Sequence, residues 1–255
     1  MAGMKISVKQ AAFMAIITGL LTFILLGVMI VRSGSIVPPA TFPNEPGFKQ
    51  AIFWFEMAGS GDEIASVLGD PATDTGRRIR AAMDATHHID FYFMVCYTTF
   101  TASLFLMLFC LTGTGGMPRA VLGIGFALCC VVLIGDIFET RKLLEFSSLP
   151  DPRTIGDDIL SLQIWTRVKS GGLSAAGIIL ALYYSRYFQW RRIGMIIPVL
   201  FAVSSVLAFV AISTNSLRYL IEYAGSAGMV GWLAALIHAG FIFFAQRGEF
   251  GGNNT

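Results

Sequence analysis

Six apolar runs divide the chain, at about residues 11–31, 90–112, 120–140, 169–185, 194–214 and 226–245, each near the ~20 residues that cross a ~30 Å hydrocarbon core as a helix. The fourth is the shortest. Polar positions are confined to the connections and to the ends of the runs, and this pattern predicts an all-α fold, a polytopic membrane helix bundle of about six spans. Residues 1–247 form one transmembrane domain in this reading, and the tail 248–255 is expected to be disordered. The first run follows Lys5 and Lys9, exceeds the length of a secretory h-region and has no small-x-small cleavage site. It is read as an uncleaved first span.

The one long polar insertion, residues 32–89 between the first two spans, carries helical signals of its own. Pro38, Pro39, Pro43 and Pro46 forbid a continuous helix at its start. Residues 48–58 are aromatic-rich and about three turns long, too short to span, which predicts an interfacial or re-entrant helix. Ser60 with Glu63 fits a capping box for a second short helix from Asp62 to Leu68, stopped by Gly69-Asp70-Pro71. Asp74 is then expected to cap a long helix running through Arg77, Arg78 and Arg80 into the second span. Those arginines read as a solvated or headgroup-facing surface. Residues 112–119 form a tight turn, and 141–168 a longer connection with Pro150, Pro152 and an amphipathic piece from Asp157 to Trp165.

Composition narrows the class. With 55% hydrophobic and 13% charged residues among 255, and a mean hydropathy of +0.69, the chain cannot supply the solvated surface of a soluble domain. Its 18 basic and 16 acidic residues lie between the apolar runs, so no nucleic-acid-binding face is predicted. Cys96, Cys110, Cys129 and Cys130 fall inside apolar runs without a C-x-x-C pair and read as small core residues; neither a metal site nor a cofactor is expected. Arg186, Arg191 and Arg192 are the densest basic cluster in a short loop, which the positive-inside rule makes cytoplasmic, together with both termini.

Alternating spans gather the ionisable residues at one end of the bundle. Asp136 and Glu139, three apart, share a helix face at the close of the third run. A carboxylate at such depth costs roughly 2.5–3.5 kcal/mol on insertion scales, so it turns inward to a partner. His87, Asp90, Met94 and Tyr97 share a face of the second span, while Trp165 and Lys169 head the fourth, where Gly171-Gly172 permits close backbone approach. The insertion tethers Trp54 and Glu56 to the same side. Asp90, Asp136, Glu139 and Glu56 are therefore the candidate acid–base groups, and Tyr97, Lys169, Trp165, His87 and Trp54 the candidate ligand-binding ones. A purely structural reading stands beside this one: Asp136 and Lys169 as a buried ion pair fixing helix register, Glu56 as an interfacial residue, His87-His88 as polar helix, and His238 as a satisfied core imidazole.

The residues also carry a resemblance. Phe55-Glu56-Met57-Ala58-Gly59, then Ile89-Asp90-Phe91 with Tyr97, then Asp136-x-x-Glu139 and Lys169 resemble the motifs of a group of uncharacterised bacterial multi-pass membrane proteins with no assigned reaction. The likeness covers roughly residues 45–185 and departs at Thr140, where Asn would be expected. It implies a bacterial inner (cytoplasmic) membrane and groups these positions without supplying chemistry.

Two functions follow, leaving open whether the chain is an enzyme. One is a membrane protein surrounded by membrane lipids, whose polar pocket near one leaflet binds or transforms a lipidic or isoprenoid-like small molecule. The other is a structural or accessory subunit whose insertion docks a partner membrane subunit. A small transporter is disfavoured because the polar residues crowd one leaflet. A bis-histidine haem is disfavoured because His88 and His238 lie at different depths. No phosphate loop, His-Glu-x-x-His, Ser-His-Asp set or Asp-rich prenyl-diphosphate box is present, which removes the common membrane hydrolases and prenyltransferases.

Overall fold

The computed structural model describes residues 6–34, 36, 47–112, 119–188 and 194–245. The prolines at 38–46, the turn at 113–118, Arg191, Arg192 and the tail 248–255 lie outside the described residues. The described chain is all-helical: α1 (Val8–Ser33), α2 (Ala51–Glu56), α3 (Gly61–Leu68), α4 (Asp74–Thr112), α5 (Arg119–Ser148), α6 (Asp158–Phe188), α7 (Ile196–Ser213) and α8 (Leu220–Ala245), with 3₁₀ turns at Pro152–Ile155 and Asn215–Leu217.

Five of these helices, α1, α4, α5, α7 and α8, are long and apolar enough to cross a membrane, which makes this an integral membrane protein. The sixth long helix, α6, has 31 residues. Its Lys169, Ser170, Gly171, Gly172 and Ser174 keep it below that apolarity. Large apolar side chains face outward along the bundle, among them Phe13, Ile24, Val206, Phe209 and Phe241. In lipid this is the expected arrangement, and the polar side chains turn inward.

Helix α1 packs on α4 and α8, α5 on α4 and α6, and α7 on α6 and α8. One core, with Phe100, Phe105, Tyr183, Tyr184 and Phe201, fills the bundle. A second is separate. At 39 residues α4 is about 58 Å long, far more than the hydrocarbon thickness, so its N-terminal turns project from the bundle beside the end of α5. Over them lies a cap made of α2, α3 and the 152–155 turn, with its own core of Trp54, Phe55, Ile64, Leu68, Met83 and Phe146.

Local chemistry explains the cap's elements and corrects two expectations. Thr73, not Asp74, caps α4: its hydroxyl accepts from the Gly76 amide at 3.0 Å, and Asp74 sits in the first turn. Arg77 and Arg78 are exposed as expected, but Arg80 is buried and donates to the Ser147 and Leu149 carbonyls at 2.8 and 2.6 Å, capping the C-terminal end of α5. Ser60 caps α3 as expected, accepting from the Glu63 amide, whereas the Glu63 carboxylate reaches back to the Gly59 amide at 2.9 Å. Gly69, at φ +69°, ends α3 in a backbone conformation that favours glycine.

The antiparallel α5–α6 contact sets the depth of the polar groups. A Cβ on Gly172 would meet Val132 at 2.7 Å, and one on Gly135 would meet the Lys169 backbone nitrogen at 2.9 Å. Glycine at 135 thus lets α5 lie against α6 beside Asp136. Gly135→Ala is expected to force the helices apart and lower the unfolding free energy in detergent by about 1–3 kcal/mol. Gly123→Ala, where nothing lies within 4 Å, should leave it unchanged.

Candidate functional site

Lys169 of α6 enters the space between cap and bundle, where its ammonium meets three carboxylates. It pairs with Glu139, lies 3.3 Å from Asp136 Oδ1, and 3.5 Å from Glu56 Oε2 of α2. Hydroxyl donors complete the carboxylates. Tyr97 of α4 donates to Asp136 at 2.7 Å and Thr166, one turn before Lys169, to Glu139 at 2.6 Å. Asp136 and Glu139 are 2% and 0% exposed, so their contacts act where water screens least, while Glu56 stands at the edge.

The other expected residues take different places. Asp90 stands one step outside the ion-paired group and accepts from Thr140 at 2.8 Å. His87 is buried; its Nδ1 bonds the Met83 carbonyl at 2.7 Å and its ring meets Phe55 edge-on. Trp54 belongs to the cap core, stacked on Phe48. Trp165 stacks on Phe138, which is 42% exposed, and so faces the outside of the bundle.

A cavity of about 560 Å³ adjoins this group. Its walls are Glu56, Met57, Gly59 and Glu63 from the cap, Gln163, Thr166 and Arg167 from α6, and Ala211, Ile212, Asn215, Ser216 and Arg218 from the end of α7 onward. Glu56 belongs to both the cavity wall and the Lys169 group. Burial pushes its carboxyl above the usual range, Lys169 opposes that, and Asp136 adds to it.

Two residues outside the expected set hold the cap in place. Glu222, at the start of α8, accepts from the Lys49 and Gln50 amides at 2.9 and 2.8 Å, just before α2. Arg218 donates to the Met57 carbonyl at the other end of α2 and to Glu63 of α3, at 2.9 and 2.8 Å. The six-residue α2 therefore has an anion at its N-terminus and a cation at its C-terminus, as the helix dipole favours. It is shorter than the stretch 48–58, and the Lys49 and Gln50 amides just before it go to Glu222. Among the described residues no group of His, Cys, Asp and Glu is arranged to hold a metal ion.

Chemically, the group offers one carboxyl reachable from the cavity, Glu56, linked through Lys169 to two sealed ones. The chain matches no family model, no curated protein and no solved structure.

Lys169→Met removes the ammonium and leaves its carboxylates buried, so denaturant unfolding in detergent should show a loss of about 3–5 kcal/mol of unfolding free energy. For Glu56 the sign is set by its raised value. Folding favours the protonated form, so its contribution is complete below the ordinary carboxylate range and is lost as pH rises through the raised value. Thermal unfolding across pH should show this decline, and Glu56→Gln should make it shallower.

Proposed function

We propose that this integral membrane protein binds an amphiphilic small molecule, lipidic or isoprenoid-like, with its polar head in the cavity between cap and bundle. The observation that carries the reading is that Glu56 belongs at once to the cavity wall and to the Lys169 group, so a guest in the cavity touches the polar core. Volume and lining suit it: ~300–1,000 Å³ is the usual range for small-molecule pockets, and polar groups line one wall while Ala211 and Ile212 line another. Below Ile212, the exposed Phe209 and Val206 of α7 offer a path for an apolar tail into lipid. With both termini cytoplasmic in a bacterial inner membrane, as Arg186, Arg191 and Arg192 suggest, the cap and cavity would face outward.

The accessory-subunit reading draws on one specific observation: the Lys169, Tyr97 and Thr166 donors are all engaged within the chain. The two readings separate in native mass spectrometry of the full chain in nanodiscs. Binding predicts a retained small molecule that is lost in Ile212→Trp, which fills the cavity. No retained molecule, and a variant that behaves as the parent does, would leave the accessory role.

A further inference from the structure

Among the described residues, the polar core around Lys169 is rich in acceptors, and its side-chain donors are all engaged. Lys169 has three N–H groups and three carboxylate neighbours. The hydroxyls of Tyr97, Thr166 and Thr140 are committed to Asp136, Glu139 and Asp90. His87 adds a further acceptor. With Nδ1 bonded to its own helix at Met83, the proton sits on that nitrogen and Nε2, at the far side of the ring, keeps a bare lone pair. This nitrogen is buried and has no hydrogen-bond partner among the described residues, in a side chain only 2% exposed and packed on Phe55, the neighbour of Glu56. Buried acceptors of this kind cost free energy until a donor reaches them.

Charge points the same way. Glu56, Asp136 and Glu139 surround Lys169, Asp90 stands one step beyond them on Thr140, and in the adjoining cavity wall Glu63 already engages Arg218, leaving Arg167 on the exposed rim. Carboxylates outnumber cations in cavity and core together. An anionic head would meet carboxylates with no spare donor, and a hydroxyl head would leave the excess charge in place.

We propose that the head recognised at this site is an N–H-bearing organic cation, a primary or secondary ammonium on an apolar tail, entering at Glu56. This rests on the amphiphile reading above and names its ligand class. The ammonium docks on Glu56 from the cavity side and holds that carboxyl in its ionised form, and its N–H groups supply the donors that the core lacks. The tail lies along Ile212 and the lipid-facing side of α7. A quaternary ammonium has the charge without the donors, and an alcohol has a donor without the charge, so the pair separates the two requirements.

The test is saturable binding to the full chain in nanodiscs at neutral pH, with dodecylamine, dodecyltrimethylammonium, dodecanol and dodecanoate as probes. Dodecylamine is expected to bind at least ~10-fold more tightly than the other three, and Glu56→Gln to remove that preference. Equal affinity for amine and alcohol, or a preference that survives Glu56→Gln, overturns the ammonium assignment while leaving the cavity occupied. Absence of saturable binding by any of the four, with Ile212→Trp indistinguishable from the parent, overturns the amphiphile reading as well. Should Glu56→Gln misfold, His87→Phe keeps a flat ring against Phe55 and removes the acceptor. It is expected to weaken dodecylamine by about 5-fold and leave dodecanol unchanged, and an unaltered amine affinity counts against the proposal.

Discussion

A single ammonium, Lys169, joins the two halves of this molecule. It touches Asp136 and Glu139 from the bundle and Glu56 from the cap, so the position of the cap and the burial of the bundle's carboxylates are one electrostatic problem. A lone carboxylate at that depth would cost several kcal/mol; with the ammonium and the Tyr97 and Thr166 hydroxyls against them, these are kept by directed contacts. The arrangement has a backbone precondition. Only where Gly135 lets α5 lie against α6 does Lys169 come level with both residues of the Asp136–Glu139 face.

The cap depends on the bundle in a second way. A helix of six residues has no stability of its own, and α2 persists because charges from another element finish both of its ends. Glu222 and Arg218 come from the start of α8 and the turn before it, so the cap wall of the cavity is positioned from there, while α6 and the end of α7 supply the facing walls. Small movements of α8 relative to α6 therefore bear directly on the distance between Glu56 and Lys169. The separate core under α2 and α3 gives the cap rigidity, and the ionic contacts set where that rigid piece sits.

Much of this was legible in the sequence because it is periodic. Run length predicted the long helices, and the three-residue spacing of Asp136 and Glu139 placed both on the face that meets Lys169. The middle of α4, where the second apolar run begins, was legible for the same reason, since His87, Met94 and Tyr97 are all buried there. What escaped the sequence is non-local and aperiodic. Glu222 and Lys49 are 173 positions apart, and nothing in either segment signals the other. Thr166 looks like any helical threonine until α5 supplies Glu139. Arg80 read as surface because its partners are backbone carbonyls, which leave no trace in side-chain patterning. Trp165 shares a helix with Lys169, yet at four residues' remove it rotated far enough to stack on Phe138 outside.

The site is also closed on its far side, and this constrains any mechanism built on it. Beneath Asp136, Tyr97 is stacked on Trp232 and packed on Phe93. The next hydroxyls along α4, those of Thr98, Thr101 and Ser103, donate to carbonyls of their own helix, as Ser174 does on α6. Such side chains hold no free donor to hand onward, so among the described residues no hydrogen-bonded chain continues from Asp136 toward the opposite membrane face. His238 does not extend one, because Tyr184, Tyr187 and Phe188 surround its ring with aromatic edges and faces. Among the described residues, the polar contacts that begin at Glu56 thus end at Tyr97 and the Trp232 ring against it, on the cap side of the bundle.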